Sequence, residues 1–328
     1  MSEWTAIERM DREQMTTLQI ERLRAQVARL AERVPFYRER LATAGVRADD
    51  IRSLDDIRRI PFTRKDDLRA LYPFGLLAVP RGEVLRVHSS SGTTGRPTPI
   101  YYSKKDLDNW SELMVRTFEV GGVTKDDIIH NACNYGLLTG GLAYHYGAER
   151  MGALCVPMST GNMEKQLLLL VDLGATVLCS TSAFGLELAR AVKAAGIPRE
   201  KLRLKVGFFG REAWTVEIRD EIEAGLHMRA LNCYGLSEMT GPGVAVECLE
   251  GGGGMHIAED HFIPEIVDPK TGEPVSPGTV GELVLTNVTK DASPILRYRT
   301  RDLSSLDPSP CKCGRTLVRM ARISGRTS

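Results

Sequence analysis

The chain has 328 residues, 42% hydrophobic and 26% charged, and its 43 lysines and arginines against 42 aspartates and glutamates leave a formal charge of +1. That length supports a larger core than one simple domain holds, and the near-neutral balance gives no electrostatic footprint for nucleic acid or an anionic membrane. Seven scattered cysteines, an odd number, argue against a secreted disulfide framework.

Met1-Ser2-Glu3-Trp4 has neither a basic nor an apolar leader character, and the longest purely aliphatic run, Leu167 to Val171, is too short to span a bilayer. A soluble, cytosolic protein is expected. Residues 8–34 carry Leu23, Val27, Leu30 and Val34 at helical spacing and stop at Pro35, which predicts an amphipathic helix. Two capping-box patterns, Thr63-x-x-Asp66 and Ser103-x-x-Asp106, each open a further helix.

Between strand-like residues 84–88 and 99–102 lies Ser89-Ser90-Ser91-Gly92-Thr93-Thr94-Gly95-Arg96-Pro97-Thr98. Hairpin loops usually need two to five residues, and this one spends about ten, mostly on hydrogen-bond donors. Glycines let the backbone approach an anion, while amides, hydroxyls and the Arg96 guanidinium share its charge. The loop reads as a polyphosphate cradle. A Walker A loop is excluded, because Gly92-Thr93-Thr94-Gly95-Arg96-Pro97 has neither its spacing nor a helix opening on Lys-Ser/Thr.

From residue 128 to 234 short apolar runs (128–133, 153–157, 176–180, 205–209, 229–234) alternate with helical stretches such as 163–173 and 214–224, the βαβ pattern of a parallel sheet. The last run leads into Asn232-Cys233-Tyr234-Gly235-Leu236-Ser237-Glu238, at the carboxyl edge where open α/β sheets bind ligands. A ring there can stack on a purine, and a carboxylate four residues on can hold Mg²⁺ bridging phosphates. Taken alone, the pattern fits a strand end with a core tyrosine and a solvated glutamate better. After about Gly241 the runs 244–248, 262–267, 280–288 and 295–303 predict a smaller antiparallel or barrel-like part without helices.

Cys248, His256, Cys311 and Cys313 form a candidate Cys₃His zinc set, closed and therefore structural. The Cys311-Lys312-Cys313 spacing is not the usual Cys-x₂-Cys, so small core residues and a loop thiol remain the alternative. Cys133, Cys155, Cys179 and Cys233 lie on predicted strands and read as core.

The hydroxyl-rich loop, Tyr234-Gly235-Leu236-Ser237-Glu238, Asn134-Tyr135-Gly136-Leu137-Leu138-Thr139-Gly140-Gly141, Glu259-Asp260-His261-Phe262 and Tyr298-Arg299-Thr300-Arg301-Asp302 together resemble the adenylate-forming, acyl-CoA synthetase superfamily, and its phenylacetate-coenzyme A ligase branch in particular. The resemblance covers essentially the whole chain. It implies an α/β fold, the large N-terminal region of such an enzyme. Residues 1–325 would be its core: 1–127 a helical entry with the phosphate loop, 128–240 the βαβ region, and 241–325 the β-rich part. Residues 326–328, after Arg322-Ile323-Ser324-Gly325, resemble the hinge before a mobile C-terminal lid, which would lie beyond this chain; without it adenylation should be weak and thioester formation almost nil.

The implied activity is an ATP-dependent aryl-CoA ligase using ATP, Mg²⁺ and coenzyme A. Ser90, Ser91, Gly92, Thr93, Thr94, Gly95 and Arg96 would take the phosphates, with Thr94, Arg96 and Glu238 supporting the chemistry and Glu238 holding magnesium. Gly210, Arg211 and Glu212 would lie along the adenine, with Asn232, Tyr234, Gly235 and Ser237 also at the nucleotide. Asp302 would hold the ribose hydroxyls, and Arg326 would also contact the nucleotide. Tyr135, Gly136, Leu138, Thr139, Gly140 and Gly141 would line the pocket for a phenylacetate-like aryl or arylacetic acid. Four of these positions depart from the family pattern: Arg96 replaces a lysine, Leu138 a phenylalanine, and, in Gly210-Arg211-Glu212-Ala213-Trp214, Arg211 and Ala213 stand where Gly-Ala-Glu-Pro-Trp has alanine and proline. The expected partners are these small molecules, with no nucleic acid or membrane, and a homodimer is compatible with the pattern. Two other functions stay open: a nucleotide- or acyl-adenylate-binding protein without turnover, and an adenylating enzyme that passes its acyl group to a carrier protein or other acceptor.

Overall fold

The structure, a computed structural model, describes residues 3–90, 97–250 and 254–327. The chain divides into two compact units, one of Met1–Asn109, Ser237–Met239 and His256–Ser328, the other of Trp110–Leu236 and Thr240–Met255. No helix among the described residues is long and apolar enough to cross a membrane. None of the seven cysteines is in a disulfide.

The first unit joins sequence extremes. Its long helix, Arg12–Arg33, begins where Asp11 accepts from the Gln14 amide at 2.9 Å, four residues later than the periodicity predicts. Leu23, Val27, Leu30 and Val34 are all fully buried, each contributing about 1.5–3 kcal/mol of apolar burial. Pro35 does not simply stop the chain; it opens the Pro35–Thr43 helix, its missing N–H being harmless at a first turn. The polar face of the long helix reaches the C-terminal part: Arg12 pairs with Glu259 at 2.7 Å, Gln19 Nε2 donates to the Glu259 carbonyl at 2.9 Å, and Arg29 pairs with Asp291 at 2.7 Å.

Ser103 and Asp106 form the expected capping box, with Ser103 N donating to Asp106 Oδ2 at 3.0 Å and Asp106 N donating to Ser103 Oγ at 3.2 Å, opening the Lys104–Val120 helix. The expectation for Thr63 and Asp66 is corrected by one residue. The Lys65–Ala70 helix starts after Arg64, whose amide donates to Asp67 at 2.7 Å. Thr63 is held elsewhere: its hydroxyl meets the Tyr37 hydroxyl at 3.0 Å and its amide donates to the Arg297 carbonyl at 2.9 Å.

Strands Arg86–Ser89 and Pro99–Tyr102 pair antiparallel, so the hydroxyl-rich loop is tethered at both ends. Four further strands, Phe262–Val267, Gly281–Asn287, Tyr298–Ser304 and Gly325–Arg326, lie in that order as an antiparallel sheet, an open run rather than a barrel. Residues Gly325 and Arg326, expected at the edge of a hinge, pair with Leu303 and Asp302.

In the second unit the strands Leu154–Val156, Ile128–Asn131, Val177–Thr181, Val206–Gly210 and Arg229–Leu236 lie side by side in that order, all parallel, as the βαβ spacing predicts. Helices Met163–Asp172, Ser182–Ala194 and Val216–Leu226 contribute Leu170, Leu188, Ile222 and Leu226 to a core shared with Leu178 and Phe209 of the sheet. The next strand, Gly241–Glu247, was expected to open the β-rich part. It instead pairs antiparallel with Arg229–Leu236, so residues 240–255 belong with the parallel sheet.

Candidate functional site

The carboxyl edge of the parallel sheet carries the second unit's candidates. After Ile128–Asn131 the chain turns through Gly136, at φ 109°, into the Gly140–Met151 helix. Asn131 Nδ2 donates to the Gly141 carbonyl at 2.8 Å and to the Tyr135 hydroxyl at 2.9 Å. The Tyr135 hydroxyl also lies 3.2 Å from His145 Nδ1, and His145 Nε2 lies 3.1 Å from Glu149. A Cβ on Gly141 would come 2.5 Å from the Asn134 carbonyl and 3.0 Å from Tyr135 Cδ2, so only glycine lets the ring lie where it does. Thr139 is buried and Leu138 half-buried beside it. Burial pushes the Tyr135 phenol well above its usual range, with the Cys155 thiol next in effect.

Gly210 ends its strand with no room for a side chain, a Cβ there lying 2.6 Å from the Cys233 carbonyl. Arg211 follows at φ 80°, a left-handed backbone unusual for a non-glycine residue. Glu212 Oε1 accepts from the Ser182 hydroxyl at 3.1 Å and the Ala183 amide at 2.9 Å, capping the Ser182–Ala194 helix. Asn232, 9% exposed, donates its amide to Glu247 at 2.8 Å. Tyr234 is half-buried opposite Ala245, and the strand bulges between Tyr234 and Gly235. A Cβ on Gly235 would overlap the Gly241 carbonyl oxygen.

In the first unit the site is built from charges. Glu238 is 5% exposed, with Lys65 Nζ 3.7 Å from its Oε1. Tyr298, 3% exposed, hydrogen-bonds the same carboxylate; burial, then the Glu238 charge, hold its phenol far above the usual range. Tyr102 is shifted the same way by burial, then by Asp106 and Glu238. Asp302, 9% exposed, pairs with Arg326 at 2.9 Å across neighbouring strands. Ser90 Oγ is a buried hydroxyl without a hydrogen-bond partner among the described residues. Ser91, Gly92, Thr93, Thr94, Gly95 and Arg96 lie outside the described residues.

His256, Cys311 and Cys313 offer ligand atoms all within 4.8 Å of one another, with Cys313 Sγ 3.4 Å from His256 Nε2. Gly314, at φ 79°, closes the turn by donating to the Cys311 carbonyl at 2.9 Å. Burial, aided by the Arg315 charge, pushes His256 down to about 4, keeping the imidazole neutral as a metal requires. Cys248 falls in the other unit.

Sequence reasoning misses Lys65 and Tyr298 as neighbours of Glu238. Lys65 has no motif around it, and Tyr298 stands inside Tyr298-Arg299-Thr300-Arg301-Asp302, where only Asp302 draws notice. Glu259-Asp260-His261-Phe262 turns out to be structural: Glu259 accepts from the Val318 amide at 2.7 Å as well as pairing with Arg12, and Asp260 pairs with His261 at 3.2 Å.

Residues 78–289 match the profile of the AMP-binding enzyme family. A phenylacetate-coenzyme A ligase from Thermus thermophilus is 50% identical over 321 residues, 98% of this chain and 72% of that protein. The Escherichia coli enzyme of the same name is 47% identical over 322 residues, 98% of this chain and 73% of that protein. Among solved structures, 2-hydroxyisobutyryl-CoA ligase in complex with 2-HIB-AMP and CoA aligns with a TM-score of 0.91 at 26% identity, covering 97% of this chain and 69% of that one. ATP-bound MatB from Rhodopseudomonas palustris, at 19% identity and a TM-score of 0.57, covers 77% of this chain and 50% of its own and shares the fold alone.

Proposed function

The chain belongs to the AMP-binding enzyme family, within its phenylacetate-coenzyme A ligase branch, and on that premise we propose that it activates phenylacetate or a related aryl or arylacetic acid with ATP and transfers the acyl group to coenzyme A. The observation that carries this reading is identity at half of all positions along 98% of the chain to a ligase of that name. In the first step a carboxylate oxygen attacks the α-phosphorus and the bond to pyrophosphate breaks, leaving acyl-adenylate. In the second the coenzyme A thiol, giving up its proton, attacks the acyl carbon and AMP departs.

Neither step needs a nucleophilic side chain; positioning and charge stabilisation suffice. Thr93, Thr94 and Arg96, with the buried Ser90 hydroxyl beside them in sequence, stabilise the leaving pyrophosphate. Tyr234 stacks on adenine, Gly210 and Arg211 run along it, and Asp302, oriented by Arg326, takes the ribose hydroxyls. The hard oxygen donor of Glu238, buried and electrostatically supported by Lys65, suits Mg²⁺. Bound there, the ion would neutralise phosphate charge. The ring held by Asn131 and His145 walls the acid pocket, with Leu138 in place of a phenylalanine. We assign the reaction to the cytoplasm, where ATP and coenzyme A are supplied.

The thiols of Cys311 and Cys313 and the neutral His256 imidazole suit zinc. A fourth ligand would close the set and make the ion's role structural. A panel of aryl carboxylates with ATP, followed for pyrophosphate release and then for thioester, tests the ligase reading. Pyrophosphate release with aryl acids is expected; a chain that binds AMP yet releases none with any aryl acid overturns it.

A further inference from the structure

Arg219, on the Val216–Leu226 helix, has no part in the chemistry above, yet its side chain is only 16% exposed and is tied in two directions. Its Nη2 donates to Glu247 Oε2 at 2.6 Å, and the same oxygen accepts the Asn232 amide at 2.8 Å. Its guanidinium carbon lies 4.9 Å from the centroid of the Trp214 ring, which in turn stands 5.4 Å from the Phe209 ring. Glu247 is buried and closes the Gly241–Glu247 strand; Trp214 is buried as well. A buried carboxylate is stable only beside a charged partner, and the planar fork of an arginine can serve a carboxylate and an aromatic face at once.

These contacts join two segments that neighbour each other in the sheet. Trp214 ends the loop that leaves the Val206–Gly210 strand through Arg211, and Asn232 stands two residues before Tyr234 on the adjacent Arg229–Leu236 strand. We propose that Arg219 is a positioning residue of the adenine site: held between Trp214 and Glu247, its guanidinium fixes the loop of residues 210–214 relative to the strand that carries Asn232 and Tyr234, and so sets the slot that receives the base. This rests on the ligase reading, which puts adenine along those two segments.

The rest of the loop is pinned by contacts of another kind. Glu212 is spent on the cap of the Ser182–Ala194 helix, and the Thr215 hydroxyl accepts the Ile218 amide at 3.4 Å where the Val216–Leu226 helix begins. Arg219 Nε is buried with no hydrogen-bond partner among the described residues. Glu247 on one edge and Trp214 on the face therefore orient the guanidinium. A lysine in its place would reach the carboxylate with a point charge but present no plane to the indole.

Removing the guanidinium has two separable effects. A buried Glu247 left without its partner lowers stability whatever else Arg219 does. A loop released from Trp214 lowers adenine affinity in protein that is still folded, because side chains ordered in advance must then be ordered by the ligand. A base that does not fit the slot has little to lose. Discrimination between adenine and guanine nucleotides should therefore shrink, which a purely structural arginine would not give.

Competition of AMP and of GMP against a fluorescent adenine nucleotide, with melting temperatures alongside, tests this on three proteins. They are wild type, Arg219→Lys, and Arg219→Met combined with Glu247→Gln, which removes the buried charge together with its partner. AMP affinity should fall about tenfold in both variants, the cost of ordering a side chain or two on binding, while GMP affinity changes by less than about twofold. Arg219→Lys, still paired with Glu247, should melt close to wild type and lose AMP affinity all the same. If the double variant does not fold, Arg219→Lys decides. Wild-type AMP affinity in either folded variant, equal losses for AMP and GMP, or a wild type that binds the two nucleotides equally overturns the proposal. A wild-type chain that binds neither nucleotide overturns the ligase reading itself.

Discussion

The two units hold their candidate residues in place by different means. In the parallel-sheet unit, Gly141, Gly210 and Gly235 each stand where a Cβ would strike a carbonyl oxygen, and the polar side chains mostly hold loops in place. In the other unit the candidates stand as ionised pairs: Glu238 against Lys65 and Asp302 against Arg326. A surface made of backbone is shaped by sterics and is indifferent to pH and salt, whereas one made of charges is tuned by burial and fails when a single charge is removed.

The largest effect should come from the charged unit. Glu238→Gln keeps the shape and removes the anion, and should lower the adenylation rate by about 10²–10³, the range seen when one electrostatic contact to a transition state is lost. Pyrophosphate release at varied Mg²⁺ measures it, AMP affinity remaining unchanged; a rate within about threefold of wild type, well short of that range, removes Glu238 from the metal.

The Cys/His cluster sharpens the same contrast, since its ligands are soft rather than hard. Elemental analysis should find about one zinc ion per chain, reduced to none in Cys311→Ser, and a strong chelator should lower the melting temperature of wild type alone. A metal-free wild type would return these residues to ordinary core.

In the backbone-built unit the expected damage is to the fold. Gly235→Ala forces a Cβ onto the Gly241 carbonyl and should cost about 1–3 kcal/mol of stability, as overpacking does, read by denaturant unfolding. Full stability in that variant would mean that the bulge yields easily and that the edge is not shaped by sterics. Glu212→Ala should be the mildest change, losing about 0.5–2 kcal/mol with the helix cap while AMP affinity holds. A drop in AMP affinity without loss of stability would move Glu212 from cap to nucleotide contact.

Features readable from neighbours in sequence survive in three dimensions. Ser103 and Asp106 cap their helix because both partners lie within one turn. The two strands on either side of residues 90–98 follow from local pattern alone, as does the alternation that gives five parallel strands, with boundaries displaced by a residue or two. Thr63 and Asp66 carry an equally good local signal and still miss. Thr63 is claimed by Tyr37 and Arg297, the latter 234 residues away, and Arg64 with Asp67 takes over the cap.

The amino-acid sequence by itself thus determined the helical and strand periods, the glycine- and hydroxyl-rich loop, and the residue types available for phosphate, magnesium and zinc. These depend on residues close along the chain, whose geometry the backbone limits to a few choices. Only the tertiary structure decided that the strand Gly241–Glu247 joins the parallel sheet, that Glu212 caps a helix, that Lys65 and Tyr298 flank Glu238, and that Arg219 lies between Trp214 and Glu247. Each of those outcomes depends on which distant groups share a desolvated space, where an ionised side chain is stable only beside a partner that the fold has brought to it.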